Sequence, residues 1–210
     1  MQPVGETYFE RGMKHYQAGE FEQALAMFTK ALRLSLGDLA QTALYRGLCY
    51  AYLEAYDRAL ADFDEAIRRN PYLADAYNER GTLYRMQEAY QQAIDDYDAA
   101  LHLDNRHYAA YYNRALAHEQ LGNLQAAEQD LTQALSLDTT LIQAYEARGR
   151  IRAQLSDYEG AVADLQYYLR NGGGYEFDNH SEVLSYLITL RLNRFLSRFI
   201  PAQYLPGRRE

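Results

Sequence analysis

The sequence lacks several features that whole classes of protein require. It has one cysteine, Cys49, which excludes a disulfide or a thiolate metal cluster within a single chain and fits a reducing compartment. No run of about 18 uncharged apolar residues occurs, so no segment is expected to span a membrane. The start carries no basic leader, apolar run or small-residue cleavage site. The expected location is therefore the cytoplasm.

An excess of positive charge is also missing. The formal net charge is -8 and the isoelectric point is near 5.2. Binding to phosphate backbones depends on clustered Lys and Arg, so nucleic acid is not the expected partner. The 210 residues are 48% hydrophobic and 13% aromatic, which is enough to bury a sizeable core. We therefore expect a folded chain, either one large domain or one array of repeats.

The chain repeats itself with a period of about 34 residues. An Arg followed by Gly or Ala recurs in register, at Arg11, Arg46, Arg80, Arg114 and Arg148. Alanines keep the same spacing, at Ala24, Ala59, Ala93, Ala127 and Ala161. Self-similarity at this period is the mark of a repeat architecture. The sequence therefore predicts five copies between about residues 5 and 175.

Each copy is predicted to form two helices. In the third copy we expect a helix over 74–86, a turn over 87–89 and a second helix over 90–103, in which Ala93, Tyr97 and Ala100 share one face. No strand is required. Recurring glycine and alanine allow two helices to approach closely. A lone pair of helices cannot bury its apolar face, so neighbouring copies must stack.

The repeats resemble those of the tetratricopeptide repeat family. The third copy carries the family pattern of aromatic and small residues in Tyr77, Gly81, Tyr84, Tyr90, Ala93, Tyr97 and Ala100. The fourth and fifth copies match less well. The resemblance implies an all-α, right-handed superhelical solenoid of five units at about 5–38, 40–73, 74–107, 108–141 and 142–175. A long C-terminal capping helix at 179–200 and a basic tail at 201–210 would follow.

The recurring Arg is interpreted as part of the scaffold. An Arg repeated five times in one register is not expected to be catalytic five times. Its expected companion is the Asp that recurs as Asp62, Asp96, Asp130 and Asp164. Each Asp can pair within its own repeat or with the Arg of the next, and the sequence does not choose between the two.

No residue set indicates catalysis, a cofactor or a metal. The glycines at 172–174 lack the Lys-Ser/Thr that a phosphate loop needs, so they are expected to be a flexible break. Asp95, Asp96 and Asp98 spread around a helix and are expected to be a solvated face. His102 and His107 lack the spacing of a helical metal pair. Cys49 aligns with apolar residues and is expected to be buried. We therefore expect no enzyme.

In the tetratricopeptide family the first helices line a concave groove that holds peptides or partner helices. The corresponding positions predict a partner-binding groove of Phe9, Met13, Tyr16, Leu44, Tyr45, Leu48, Tyr52, Asn78, Glu79, Thr82, Tyr112, Asn113, Leu116, Glu146 and Arg150. Asp75 and Glu79 would repel a terminal carboxylate, which disfavours chaperone tails as ligands. A Tyr-rich start and a polar centre suit an amphipathic helix or an extended peptide with apolar anchors.

After Gly174 the period stops, and residues 180–200 are predicted to form one longer helix with two apolar faces. Val183, Leu184, Leu187 and Leu190 form the first face, which is expected to cap the last repeat. The second face is Leu192, Phe195, Leu196 and Phe199, and an exposed face of this kind indicates a partner.

Charge supports two separate contacts. From residue 179 onward five Arg oppose Glu182 and Glu210, a net of +3, so the rest carries -11. The favoured interpretation is a non-catalytic scaffold that binds a protein partner in the groove and forms a homodimer through the C-terminal helix. The alternative is an assembly factor at a membrane surface, which is less favoured because only three Arg lie on that helix. The helix could also fold back within the monomer.

Overall fold

The structure, a computed structural model, describes residues 7–176 and 179–196. Within those ranges the chain contains helices and no strand, which confirms the all-α class. The helices are α1 Tyr8–Gln17, α2 Phe21–Arg33, α3 Leu39–Tyr52, α4 Tyr56–Arg69, α5 Ala74–Met86, α6 Tyr90–Leu103, α7 Tyr108–Gln120, α8 Leu124–Leu137, α9 Ile142–Gln154, α10 Tyr158–Arg170, α11 Gly173–Glu176 and α12 His180–Leu196. The bounds of α5 and α6 are those that the sequence predicts.

The first ten helices form five antiparallel pairs joined by short turns. Each odd-numbered helix packs most extensively on the helix that follows it, and the second helix of a pair also contacts the first helix of the next pair within each of two compact units. Unit 1 ends at Asn105 and unit 2 begins at Arg106. Each turn within a pair holds one residue with positive φ, namely Gly19, Glu54, Glu88, Gly122 and Ser156.

Small residues set the distance between the helices of a pair. A Cβ atom on Gly47 would lie 2.7 Å from the Phe63 ring, and one on Gly81 would lie 2.9 Å from the Tyr97 ring. Both rings are buried, so they cannot swing into solvent. The glycine of the repeat is therefore required by close approach to the aromatic residue of the second helix.

The recurring Arg pairs with the Asp of its own repeat, which decides between the two arrangements that the sequence leaves open. In four repeats the Arg Nε donates to Asp Oδ2 at 2.8 Å, in the pairs Arg46–Asp62, Arg80–Asp96, Arg114–Asp130 and Arg148–Asp164. Each Arg also donates from Nη2 to Oδ1, so the contact is bidentate. Arg80 further donates to Asp64 of the preceding repeat at 2.6 Å, which ties two neighbours together.

The glycines at 172–174 separate α10 from the next helix, as the sequence predicts, but two of them are themselves helical. Gly173 and Gly174 begin the short helix α11. Tyr168 stands where the earlier repeats have Ala31, Ala66, Ala100 and Ala134. Its hydroxyl donates to the Gly173 carbonyl at 2.8 Å. A Cβ atom on Gly173 would lie 2.2 Å from the Tyr168 ring. The glycine is there because the ring packs on the backbone.

Helix α12 covers α10 at the end of the array. Val183, Leu187 and Leu190 are buried in one core with Leu165 and Tyr168. This confirms the expected cap. The expectation for Leu184 is wrong, because 42% of this residue is exposed and it lies outside the cap. The structure describes α12 to residue 196, so the predicted extension to 200, including Phe199, lies outside the described residues, as does the basic tail.

Candidate partner-binding surfaces

The first helices of unit 1 carry a connected set of aromatic rings. Tyr45 of α3 meets Phe9 and Tyr16 of α1 edge-on, with ring centroids 5.9 and 5.4 Å apart. Tyr52 stacks on Phe21 of α2 at 4.3 Å, and 60% of Tyr52 is exposed. These five residues are the aromatic cluster. Aromatic pairs prefer such stacked and edge-on geometries, so the rings are held in place while Tyr52 stays open to a ligand.

The predicted groove residues of unit 1 differ in how far they are buried. Burial raises the pKa of Tyr16 well above its ordinary value, and Tyr52 adds to the effect. Met13 and Leu48 are half-buried against the cores of the first two repeats. Leu44 is fully buried in the second of these cores, so its role in this structure is packing. Sequence position alone did not identify Phe21, because it lies on a second helix.

The third repeat contributes polar groups that bond to one another. Asn78 is buried, and its side-chain amide donates to Glu79 Oε1 at 3.0 Å. The Thr82 hydroxyl donates to the Asn78 backbone carbonyl at 2.9 Å. Glu79 and Thr82 are therefore the accessible part of this set, whereas Asn78 holds Glu79 in position.

Unit 2 continues the predicted set on α7 and α9. Tyr112 and Leu116 are half-buried and pack against the core around Leu131. Asn113 is half-buried beside them. Glu146 and Arg150 of α9 lie in a pocket of about 550 Å³ with Tyr186 of α12. The sequence predicts the two α9 residues of this pocket but not the α12 side.

The charged pair in this pocket is loosely joined. Arg150 Nη1 donates to Glu146 Oε1 at 3.4 Å, one helical turn away. Burial raises the pKa of Glu146, and the negative charges of Glu119 and Glu182 add to that rise. The side chain of Arg150 is mostly exposed, whereas that of Glu146 is largely covered. The pocket therefore holds a desolvated carboxylate that one exposed guanidinium compensates in part.

Helix α12 repeats the three faces of α9 with an offset of 39 residues, five more than the ordinary period because α11 intervenes. On α9, one face packs on α8, the second helix of the preceding repeat, and another packs on α10, the second helix of its own repeat. The face between them is open. On the face that packs on the preceding second helix, Ala144 and Ile151 of α9 correspond to Val183 and Leu190 of α12. On the open face, Glu146 and Arg150 correspond to Ser185 and Thr189. On the third face, Tyr145 and Gly149 correspond to Leu184 and Ile188. Helix α12 therefore has the faces of the first helix of a sixth repeat.

The third of these faces carries exposed apolar side chains. Leu184, Ile188, Leu192 and Phe195 are between 42% and 61% exposed and follow one another at helical spacing. These four residues are the α12 stripe. Leu192 and Phe195 belong to the predicted association face, while Leu184 and Ile188 are additions that the structure makes. The side chain of Leu196 is not among those described.

Among the other candidates for chemistry, Cys49 packs in the core of the first two repeats. Cys49 is buried as expected, and burial raises the pKa of its thiol to about 12. Among the described residues no group of three or more His, Cys, Asp or Glu side chains has the geometry to hold a metal ion. No helix that the structure describes is long and apolar enough to cross a membrane.

Comparison with protein families gives two matches, both to models described as tetratricopeptide repeat. One matches residues 9–74 and the other matches residues 74–107 and 108–140, so together they cover more than half of the chain. Heat shock protein STI1 of Saccharomyces cerevisiae is 30% identical over 80 residues, which are 37% of this chain. The match spans 13% of the length of that relative.

Solved structures of MamA are similar in fold. One MamA crystal structure is 23% identical with a TM-score of 0.65, covering 80% of this chain and 91% of that chain. MamA from Desulfovibrio magneticus RS-1, from residue 41 to its end, is 20% identical with a TM-score of 0.68, covering 78% and 92%. At these identities the likeness establishes the fold alone.

Proposed function

Because this chain belongs to the tetratricopeptide repeat family, and is a protein-interaction scaffold in that general sense, we propose that it is non-catalytic and binds a peptide or helix of a partner along its first helices. The partner would lie in the groove that the family implies. The observation that carries the proposal is the aromatic cluster, in which a fixed set of rings leaves Tyr52 exposed.

The surface chemistry of unit 1 indicates what such a partner presents. Tyrosine offers a large apolar ring and a hydroxyl at a low cost in conformational entropy, and exposed tyrosines on a packed base are frequent hot spots of binding. The polar pair Glu79 and Thr82 follows the cluster along the chain. An amphipathic helix or an extended peptide with an aromatic or aliphatic anchor matches this order. The anchor would pack on Tyr52 and Phe21.

A peptide selection tests this proposal. Peptides that bind the full chain are selected from a random display library, and their affinities are measured by fluorescence anisotropy. Replacing Tyr52→Ala is expected to weaken binding by about 30-fold, which corresponds to a hot spot of roughly 2 kcal/mol. The matched control is Tyr72→Ala, since Tyr72 is 81% exposed but precedes α5 in a turn. Equal effects of the two substitutions would refute binding at the aromatic cluster.

The α12 stripe is proposed to mediate self-association. Apolar side chains in a continuous exposed row are a usual mark of a protein contact. A second copy is the favoured occupant because the sequence from residue 179 onward is basic while the rest of the chain is acidic. Two copies could bury the stripe about a two-fold axis, which is the commonest symmetry of homo-oligomers.

Light scattering after size exclusion tests self-association. Removing α12 is a poor test because the core around Leu165 would be uncovered, so a point substitution is preferable. We expect a dimer for the full chain and a monomer for Ile188→Glu. Thr189→Glu places the same charge on an exposed position of α12 beside the stripe and is expected to remain dimeric. A monomer for the unmodified chain would exclude this part of the proposal.

A further inference from the structure

The pocket between α9 and α12 extends the first-helix surface by half a repeat. Ser185 and Thr189 of α12 occupy the positions that Glu146 and Arg150 occupy on α9, and all four residues line the pocket. Its volume of about 550 Å³ lies in the range of roughly 300–1,000 Å³ that holds small ligands in proteins. The pocket therefore has room for one side chain of a bound polypeptide together with the backbone that carries it.

Negative charge exceeds positive charge in this pocket. Among the described residues, Glu146 and Glu182 line it with a single cation, Arg150. Glu119 of α7 adds negative potential at both Glu146 and Arg150. The contact of 3.4 Å between Arg150 and Glu146 is longer than the 2.7–3.2 Å of ordinary N–H to O hydrogen bonds. A second cation that approached Glu146 more closely would be attracted.

The walls of the pocket suit a long side chain with a charged end. Tyr186 of α12 supplies a half-buried ring, and the buried side chains of Leu165 and Val183 form the apolar floor of the pocket. Lysine and arginine bury an aliphatic stem along such surfaces while their head group reaches an acidic partner. The ring of a tyrosine also attracts a cation that lies over its face.

We propose that this pocket binds a lysine or arginine side chain of a partner polypeptide, with Glu146 as the ion-pairing residue and Tyr186 against the aliphatic stem. The inference rests on the proposed function, because the pocket continues the first-helix surface. The opposite assignment is a carboxylate ligand held by Arg150. The two assignments differ in which substitution abolishes binding.

Nuclear magnetic resonance titration of the full chain with blocked tripeptides tests the assignment. The central residue of the tripeptide is lysine, norleucine or glutamate between alanines. The lysine peptide is expected to shift the amide signals of Ser185, Tyr186 and Thr189 and to bind at least about tenfold more tightly than the norleucine peptide, since hydrogen bonds to charged groups contribute more than neutral ones. Equal binding of these two peptides would overturn the proposal.

Two substitutions separate the charges. Glu146→Gln keeps the shape and removes the carboxylate, so it is expected to weaken the lysine peptide about tenfold. Arg150→Gln removes the competing internal cation and is expected to tighten binding of the lysine peptide. If the glutamate peptide instead binds best, and Arg150→Gln abolishes that binding, the carboxylate assignment is correct and the lysine assignment is wrong. Circular dichroism of each variant verifies that the fold is retained.

The source of the amine is distinguished by n-butylamine, which has the lysine head group and no backbone. Weaker binding of n-butylamine supports a polypeptide ligand, and binding as tight as that of the tripeptide overturns it. If the selected peptides require Tyr52 but the lysine tripeptide does not bind, only the inference about this pocket is refuted. If the lysine tripeptide binds but Tyr52→Ala leaves the binding of the selected peptides unchanged, only the aromatic site is refuted.

Discussion

Replacing Gly81 with alanine tests whether the glycine of the repeat is required by close packing. The new Cβ atom would lie 2.9 Å from the Tyr97 ring and 3.1 Å from the Ala93 carbonyl oxygen, closer than the 3.5–4.0 Å of favourable carbon contacts. Tyr97 is fully buried, so its ring has no solvent to move into. Overpacking of this kind destabilises by about 1–3 kcal/mol.

The helix propensity of alanine acts in the opposite direction. Alanine in a helix interior is more favourable than glycine by roughly 0.5–1 kcal/mol. The expected net loss in the free energy of unfolding for Gly81→Ala is therefore about 1 kcal/mol, and at most roughly 2.5 kcal/mol. In a Tyr97→Leu background the same change should instead stabilise by about 0.5–1 kcal/mol, because the ring is gone.

The chain contains its own precedent for the double substitution. The fourth repeat has Ala115 in the glycine position and Leu131 in the aromatic position, and both are fully buried. Gly149→Ala is the matched comparison: its Cβ atom would also lie 2.9 Å from a fully buried side chain, that of Leu165, but the Ala–Leu pair that results is the one the fourth repeat already contains. We expect Gly149→Ala to destabilise less than Gly81→Ala.

Urea unfolding followed by circular dichroism measures the four proteins of the cycle at Gly81 and Tyr97. The coupling free energy is expected to equal the overpacking term, about 1–3 kcal/mol, without a change in the slope against urea. A stabilising Gly81→Ala in the unmodified background, or additive effects of the two substitutions, would refute the packing explanation.

Four further results are expected. Glu88→Gly should stabilise by about 1 kcal/mol in thermal unfolding because Glu88 has a φ of 61°, and a loss of stability would contradict this. Asp62→Asn should destabilise by about 2 kcal/mol or more, less than the roughly 3–5 kcal/mol of a fully buried pair because the Arg46 side chain is 23% exposed; no change in a urea titration would show that the pair contributes nothing. Native Cys49 should resist thiol reagents at pH 8 and react after unfolding, whereas rapid native labelling would argue against its burial. Because the pKa of Glu146 is raised, the native state binds more protons than the unfolded state between the ordinary pKa and the raised one, so the stability contributed by this group is lost as pH rises through that interval. Glu146→Gln should therefore raise the melting temperature at pH 7 but not at a pH below the ordinary pKa. A rise in melting temperature only at the lower pH would refute the desolvation of Glu146.

The repeat period and the helix pairs follow from the sequence because each slot has one packing requirement. A glycine opposite a large side chain and alanines along one face recur at a fixed interval, so local spacing predicts α5 and α6 to the residue. The pairing of Arg80 with Asp96 does not follow in this way. Asp96 of the same repeat and Asp62 of the preceding repeat lie at similar separations from Arg80 along the chain, and only the packed helices show that Asp62 pairs with Arg46 instead.

The faces of α12 were harder to predict because its phase is set by packing on α10. Adjacent residues on a helix differ by about 100° in direction. Val183 is buried whereas Leu184 is exposed, although both are apolar and belong to the same run. The offset of 39 residues from α9 is the signal that would have placed them, but the alanine series that keeps the period ends at Tyr168. The pocket with Tyr186 was missed for the same reason.

The central claim is that partners bind the first helices, and a map of amide signals on binding a selected peptide tests it most directly. The account predicts that the perturbed amides lie on α1, α3, α5, α7 and α9 and that Tyr52 and its neighbours are among them. Perturbations confined to the second helices, α2, α4, α6, α8 and α10, would contradict the account even if the peptide bound tightly.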